Sequence, residues 1–429
     1  MNRFLVCCAL AAALAAGVAA QKTAMDKHAE QYVKLVLAVG QHDADYVDAF
    51  YGPPEWRKAA EAAKRPLAEI DKEAASILAA LGAAKPAASE EELVQLRHRY
   101  LTRQLEALRA RVGMLQGKKL TFDEESKALY DAVAPTHTEA ELAKVIAELD
   151  KRLPPGPGSV LERYDAFRNA FVIPKEKLDA VFNAAIEGCR ERTARHIALP
   201  PGERFTVEYV TGKSWSGYNW YQGNYRSVIQ VNTDLPIYID RALDLACHEG
   251  YPGHHVYNAL LEKNLMRDRG WVEFSVYPLF SPQSLIAEGT ANYGVEVAFP
   301  KAERVTFERQ VIFPKAGLDT SRADQYYEVL ALVDRLSYAG NEAARRYLNG
   351  EIDGKAAIAW LEKYALYTRP RAEQRLRFIE QYRSYVINYN LGKDMVKAYI
   401  EKRSGGDASR RWDEFETLLS SPRLPSDLR

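Results

Sequence analysis

The octapeptide His248-Glu249-Gly250-Tyr251-Pro252-Gly253-His254-His255 holds the densest group of chemically active side chains in the sequence. It contains three of the eight histidines, and a glutamate directly follows the first of them. Imidazoles and carboxylates are ligands that zinc prefers, and a catalytic zinc site uses three of them, so that one position stays open for water. The octapeptide therefore predicts a hydrolytic zinc site, with His248 as a ligand and Glu249 as the general base.

The spacing of these histidines differs from the helical pattern H-E-x-x-H, in which two ligands lie one turn apart. His254 and His255 follow His248 by six and seven residues. On a straight helix, six residues turn the side chain away from the first face, and seven carry it roughly 10 Å along the axis. Pro252 and Gly253 would deform such a helix. We expect His254 to be the second ligand. His255 would then lie in the pocket and bind substrate, or lie directly behind the ligands, although the sequence leaves both histidines open as ligands.

A third ligand further along the chain should be a carboxylate, because no histidine follows His255. Ser281-Pro282 has the residue types of a helix N-cap and first turn, and the apolar residues after it predict a buried helix. Glu288 lies on the second turn of that helix, where a carboxylate is costly to bury without a partner. We predict Glu288 as the third zinc ligand, with Glu296 on the same helix as the alternative acid.

Two motifs in this region resemble the signature of a bacterial family known as domain of unknown function 885. That family carries H-E-x-x-P-G-H-H and, further on, E-G-x-A, which here are His248 to His255 and Glu288 to Ala291. Phe50 to Trp56 and Tyr385 to Gly392 are also similar, so the resemblance extends over nearly the whole chain. It implies a mostly helical, gluzincin-like zinc metallopeptidase of the oligopeptidase type. Thr290 stands where the family usually has tryptophan, and we expect this change to affect the pocket lining.

A tyrosine near the carboxyl end is the candidate for stabilising the transition state. The resemblance implies that the segment with Arg383, Tyr385 and Tyr389 lies near the site. A phenol or a guanidinium can stabilise the oxyanion that forms when water attacks a carbonyl. We choose Tyr389, while packing in the core is the alternative for any one of the 25 tyrosines.

A small antiparallel or mixed β-sheet is predicted directly before the metal-site helix. Phe205 to Val210 and Arg226 to Val231 alternate as strands do, and the segment between them, Ser216 to Tyr225, is rich in aromatic and amide residues. Pro236 then has the position and residue type of a helix start.

An edge of that sheet could bind an extended peptide as an additional strand. We expect the substrate to lie against Val228 to Asn232, with Tyr221 and Asn232 as substrate-binding residues. The alternative is that these side chains form an aromatic face of the sheet itself and do not bind substrate.

Helical periodicity predicts a mainly α protein outside this sheet. Apolar residues at helical spacing, such as Tyr32, Leu35, Val36 and Val39, run through the part before Pro200, and helices return after Pro300 and continue to about Leu419. The Pro- and Gly-rich stretch Leu153 to Gly158 is the strongest candidate hinge. We predict an N-terminal helical region over 21–200 and a catalytic region over 201–429, with the sheet at 201–235.

Residues 1–20 have the pattern of a cleavable secretory signal. Arg3 is followed by the apolar run Phe4 to Val18 and by small residues up to Ala20. We therefore expect an exported protein, periplasmic or extracellular, that is not bound to a membrane after cleavage. Acidic and basic residues number 58 each, which argues against electrostatic binding to nucleic acid.

The two cysteines that would remain after cleavage are Cys189 and Cys247. They could pair in an oxidising compartment. We favour the other possibility, in which Cys247 is a small buried apolar residue without a disulfide.

These patterns together predict an exported zinc-dependent peptidase that hydrolyses short peptides. Two alternatives remain open at this stage. One is a secreted helical binding protein that has lost catalysis, and the other is a zinc hydrolase that acts on esters or non-peptide amides. The residue pattern does not specify the peptide sequence, the position of the cleaved bond or the oligomeric state.

Overall fold

The computed structural model describes residues 23–429, and α-helices make up most of this part of the chain. The mainly α fold with a small sheet is thus confirmed. The predicted signal segment at 1–20 lies outside the described residues. Every helix among residues 23–429 is too short or too polar to span a bilayer.

The N-terminal part is helical, as the periodicity predicts, and it contains one short strand. Tyr32, Leu35, Val36 and Val39 are all buried on the first helix. The elements are α1 (Ala24–Val39), β1 (Val47–Phe50), α2 (Pro54–Ala63), α3 (Leu67–Ala83), α4 (Glu92–Leu115), α5 (Phe122–Tyr130), α6 (Glu139–Asp150), α7 (Val160–Asn169) and α8 (Leu178–Ala194).

A mixed three-stranded sheet follows, formed by β2 (Arg204–Val210), β3 (Gly217–Gly223) and β4 (Arg226–Asn232). Its order is β2-β4-β3, with β2 parallel and β3 antiparallel to β4. The last strand in sequence is therefore the central one. Both of its edges are already paired, so the expectation that a peptide adds to Val228–Asn232 is wrong, and β3 is the edge strand nearest the metal-site helices.

The segment after the sheet carries the octapeptide. It consists of α9 (Ile239–Leu245), a π-helical turn (Ala246–Gly250), α10 (His254–Leu261), a second π segment (Glu262–Arg267), β5 (Val276–Pro278) and α11 (Pro282–Ala298). The first helix starts three residues later than the predicted Pro236. Backbone hydrogen bonds from Ile173 to Ile237 and from Ile239 to Phe171 hold the intervening residues in an extended bridge.

The remainder of the described chain is helical up to Leu419, as predicted. Its helices are α12 (Lys301–Phe307), α13 (Phe313–Ala316), α14 (Ala323–Asp334), α15 (Ala339–Leu348), α16 (Gly354–Tyr364), α17 (Arg369–Tyr382), α18 (Ile387–Ser404) and α19 (Ala408–Leu419).

Helices α11 and α18 pack closely because glycines face each other where they cross. A Cβ atom at Gly289 would lie 2.5 Å from the carbonyl oxygen of Gly392, which is closer than van der Waals contact permits. A side chain here would separate the helices. The glycine pair therefore fixes the distance between Glu288, which precedes Gly289, and the tyrosines just before and at the start of α18, Tyr385 and Tyr389.

Strand β1 connects the N-terminal part to the segment around the octapeptide. It pairs antiparallel with β5, with Phe50 opposite Val276. Buried side chains from both predicted regions belong to one hydrophobic core. The boundary near residue 200 stays a prediction.

Cys189 and Cys247 form a disulfide, which corrects the expectation of an unpaired Cys247. Helix α8 packs against the π-helical turn and brings the two Cα atoms to 5.7 Å, within the range that a disulfide spans. Both cysteines are fully buried. The bond ties the backbone next to His248 to a helix 58 residues earlier in the chain.

Replacing both cysteines by alanine should lower the free energy of unfolding by about 4 kcal/mol, because the disulfide restricts a long loop in the unfolded chain. Urea unfolding with and without dithiothreitol checks this. The wild type in reductant should approach the double variant, and the double variant should not respond to reductant. Two free thiols in the unfolded, unreduced wild type would contradict the pairing.

Candidate metal centre

The helix that carries His248 is interrupted before His254, as the Pro-Gly pair predicts. The π-helical turn ends with a hydrogen bond from the Tyr251 amide to the Ala246 carbonyl, at 3.2 Å. The Gly253 amide then donates to the Cys247 carbonyl at 2.9 Å. A Cβ atom at residue 253 would lie 1.9 Å from the carbonyl oxygen of His248, so only glycine fits this reversal.

The interruption brings the side chains of His248 and His254 together with that of Glu288. The two Nε2 atoms lie 3.1 Å apart. Glu288 Oε2 lies 3.3 Å from the first Nε2 and 3.7 Å from the second. These side chains are nearly buried, with exposed fractions of 13%, 12% and 6%, and they come from three different helical segments.

These distances fit a single metal ion. Nitrogen and oxygen ligands lie about 2.0–2.1 Å from a tetrahedral zinc, which separates them from one another by about 3.4 Å. Glu288 Oε2 is buried and has no hydrogen-bond partner among the described residues. A buried carboxylate oxygen without a donor, facing two imidazole nitrogens, is a donor set that a divalent cation would satisfy.

The charges of the three groups depend strongly on one another. Burial favours the neutral form of Glu288, but the positive charge of His254 and the close approach of both imidazoles outweigh it and hold the Glu288 pKa well below its ordinary value. Burial likewise disfavours the charged form of His254, yet the carboxylate raises the pKa of this histidine to about 9. The cluster therefore attracts positive charge.

Neighbouring side chains orient two of these groups. Asn292 Oδ1 accepts a hydrogen bond from Nδ1 of His248 at 3.2 Å, and its amide donates to the carbonyl oxygen of Tyr389 at 3.2 Å. The Tyr385 hydroxyl donates to Glu288 Oε1 at 2.7 Å. Such partners fix the direction of a ligand's free atom. Asn292 lies one helical turn after Glu288, a spacing that could have identified it from the sequence.

Glu249 lies beside the three groups, with one oxygen 3.9 Å from Nε2 of His248. Its other oxygen is buried and has no hydrogen-bond partner among the described residues. Burial raises the pKa of this carboxyl, which makes it a better proton acceptor. Strand β3 packs directly against it, since a Cβ atom at Gly217 would lie 2.8 Å from Glu249 Oε1.

A cavity of about 1090 Å³ opens onto this group. Glu249, Tyr389 and Asn232 all line it. The Asn232 amide is already used, because it donates to the backbone carbonyls of Lys213 and Trp215 at 3.0 and 2.8 Å. Burial and the Glu288 charge raise the Tyr389 pKa well above its ordinary value, so this phenol stays protonated.

Three residues expected in the pocket lie elsewhere. The His255 ring is fully buried and is hydrogen-bonded to Ser227 and Glu203, at 2.9 and 3.0 Å. Tyr221 is buried too, and its hydroxyl donates to Glu262 at 2.6 Å. The Thr290 hydroxyl donates to the Ile286 carbonyl at 2.7 Å within the core. His255 and Tyr221 are therefore corrected to structural positions, and Thr290 does not alter the pocket lining.

Sequence reasoning missed an acidic residue that lines the cavity. Asp48 of β1 is hydrogen-bonded by the Tyr218 hydroxyl, and burial raises its pKa to about 6. Its only sequence signal is its position just before the motif that starts at Phe50. The Arg383 guanidinium, in contrast, pairs with Glu125 at 2.7 Å and does not line the cavity.

Comparison with known proteins gives similarity in fold only. No family model and no curated protein matches the chain. A candidate lipoprotein from Colwellia psychrerythraea has a similar structure, with a TM-score of 0.53, 16% identity, and coverage of 79% of this chain and 59% of that one. The chain thus spans less than two thirds of that protein. The resemblance to domain of unknown function 885 stays a prediction.

Two carboxypeptidase structures are also similar, at lower scores. The Pyrococcus furiosus carboxypeptidase has a TM-score of 0.48 and 13% identity, with 95% of each chain covered. An M32 carboxypeptidase from Deinococcus radiodurans R1 has a TM-score of 0.38 and 14% identity, with 94% of this chain and 92% of that one covered. Neither similarity assigns an activity to this chain.

Glu203 gives a prediction about stability and pH. Burial alone would raise its pKa, but hydrogen bonds from His255, Tyr251 and Arg190 lower it to about 2. A carboxyl group whose pKa is lowered by folding stabilises the fold at pH values above its ordinary pKa. This stabilisation is lost as the pH falls toward the folded-state pKa of about 2. Glu203→Gln should therefore cost roughly 3 kcal/mol at pH 7 and less at pH 3.

Urea unfolding at the two pH values measures this difference. Glu191→Gln is the matched control, because Glu191 pairs with Arg195 on the surface and has an exposed fraction of 62%. That substitution should change stability by less than about 0.5 kcal/mol. An equal difference in the free energy of unfolding between wild type and the Glu203 variant at both pH values would show that the charge of Glu203 does not contribute.

Proposed function

We propose that the chain is a zinc-dependent peptidase in which His248, His254 and Glu288 hold the metal and Glu249 is the general base. One observation carries the proposal. A ligand atom from each of the three residues lies within 4.8 Å of the other two, at the wall of a cavity that Glu249 also lines. Two imidazoles and a carboxylate are a ligand set of hydrolytic zinc sites.

Zinc, when bound, would polarise the carbonyl of the substrate and lower the pKa of water. Glu249 accepts the proton of the attacking water and returns it to the leaving amine. Its buried, unpartnered oxygen and raised pKa suit both roles. The Tyr389 phenol stabilises the developing oxyanion from the cavity wall, while Tyr385 is already engaged with Glu288.

The substrate lies along the first half of β3. Ser216, Gly217 and Asn219 line the cavity, whereas the second half of the strand is covered by Tyr51, which packs against Gly223. An extended peptide that adds to this exposed edge passes directly beside Glu249. The enclosed cavity favours short peptides over folded proteins.

The protein functions outside the cytoplasm. The signal-like pattern at 1–20 supports export, and so does the disulfide between Cys189 and Cys247, because such bonds persist in oxidising compartments. The complete set of ligands and base favours catalysis over the alternative of a binding protein without activity.

Glu249→Gln should abolish most peptide hydrolysis and leave the metal content unchanged. The amide keeps the size of the side chain but cannot accept the proton, so the rate should fall about 10²- to 10⁴-fold. Mass spectrometry of a peptide mixture, with and without chelator, measures this. Full activity in the variant would exclude Glu249 as the base, and Glu191→Gln provides a surface control that should retain the wild-type rate.

His248→Ala and His254→Ala should each reduce bound zinc from about one ion per chain, with affinity at least about 100-fold weaker. Elemental analysis after dialysis measures the stoichiometry, and circular dichroism checks the fold. His28→Ala is the control, because His28 is only half-buried, hydrogen-bonds Gln31 and does not line the cavity. Unchanged zinc content in either ligand variant would rule out this ligand set.

A further inference from the structure

Two arginines of the cavity have no carboxylate partner. Arg371 and Arg375 lie one turn apart on α17 and line the same cavity as Glu249. The Arg375 Nε atom is buried and has no hydrogen-bond partner in the described part of the chain. Among residues 23–429, each guanidinium lacks an aspartate or glutamate within ion-pair distance. Other cavity arginines are neutralised, as Arg168 is by Asp240 and Arg304 by Asp244.

The groups that contact Arg371 do not neutralise its positive charge. The guanidinium donates to Ser216 Oγ at 3.3 Å and to Gln374 Oε1 at 2.5 Å, and both acceptors are neutral. Burial, together with the charges of Arg241 and Arg375, lowers the pKa of Arg371 to about 10. A partly buried arginine without a counter-ion is costly for the fold, so a ligand that supplies the missing anion would bind strongly.

The position of these arginines relative to Glu249 indicates what that anion is. Arg371 contacts Ser216, and the next residue, Gly217, packs against Glu249. One residue of an extended strand spans about 3.3 Å. A group held by Arg371 therefore lies one or two residues from a carbonyl beside Glu249.

The direction of β3 is consistent with a free carboxyl terminus at this place. The strand runs from Gly217 toward Gly223, so a peptide that pairs antiparallel with it has its carboxyl end at Ser216. A peptide in the opposite direction would place its ammonium group against the two guanidinium groups. An internal segment of a longer chain would leave both charges uncompensated.

We propose that Arg371 and Arg375 bind the C-terminal carboxylate of the peptide substrate, so that the enzyme removes one or two residues from the carboxyl end. This inference rests on the proposed peptidase function and specifies its substrate class. The arginines position the substrate and take no part in the chemical step.

A matched peptide pair tests the inference without turnover. The pair has one sequence, ending in a free acid or in an amide, and calorimetry measures its binding to zinc-loaded Glu249→Gln protein. The acid should bind about 10- to 100-fold more tightly, because charge-assisted hydrogen bonds to two guanidinium groups are lost in the amide. A ratio near one, or no detectable binding of either peptide, would overturn the proposal.

Substitutions assign the preference to these side chains. Arg371→Gln and Arg375→Gln, each in the Glu249→Gln protein, should reduce the acid-to-amide ratio to about 3-fold or less, and Arg371→Lys should retain part of it. Arg377→Gln, on the exposed side of the same helix and outside this cavity, should keep the full ratio. A variant that merely folds less well would bind the acid and the amide more weakly by the same factor and would leave the ratio unchanged. An unchanged ratio in both glutamine variants would therefore refute the assignment.

Turnover by the wild type separates this inference from the peptidase proposal. Mass spectrometry should show the free acid shortened by one or two residues, and the amide should have a raised KM with a smaller effect on kcat. If both peptides are cut equally, the peptidase proposal stands and the carboxylate site is refuted. If neither is cut but the binding ratio persists, the carboxylate site stands and the peptidase proposal fails.

Discussion

The backbone contact between Gly253 and His248 is the constraint on which the site depends. The two imidazoles are six residues apart in sequence, and they meet only because the chain reverses tightly enough to bring residue 253 against the carbonyl of residue 248. Any side chain at this glycine would occupy space that the carbonyl fills. The reversal is held from outside as well, since the Cys189–Cys247 disulfide fixes the adjoining backbone to α8 and the buried His255 fixes the start of α10 to β4.

A second close contact places the Glu288 carboxylate beside the two histidines. Glu288 reaches the histidines because α11 packs closely against α18 where Gly289 meets Gly392. The same crossing brings the Tyr385 hydroxyl to the carboxylate. Both contacts place polar groups in a nearly buried environment, where an unpaired charge is costly. The glycine contacts therefore set the positions of the three side chains, and the buried charges make a departure from these positions costly in free energy.

The sequence allowed the prediction of helices and ligand candidates because their signals are local. Periodic apolar residues give α1, and the Pro-Gly pair gives the break before His254. Strand order is not local, so the alternation in β4 could not reveal that both of its edges are paired. The direction in which a side chain points was not predictable either, because His255 and Tyr221 have the residue types of a binding site but point into the core.

The charge balance of the whole chain says nothing about where charged groups lie along the wall of the cavity. Glu249, Glu288 and Asp48 lie at one part of the wall, and Arg371 and Arg375 at another, beyond the edge of β3. In a cavity that is partly shielded from solvent, such an arrangement orients a bound dipole more strongly than the same charges would in water. An extended peptide carries opposite charges at its two ends. For the proposed peptide substrate, this arrangement would distinguish the direction in which the chain enters, before any side chain of the substrate is recognised.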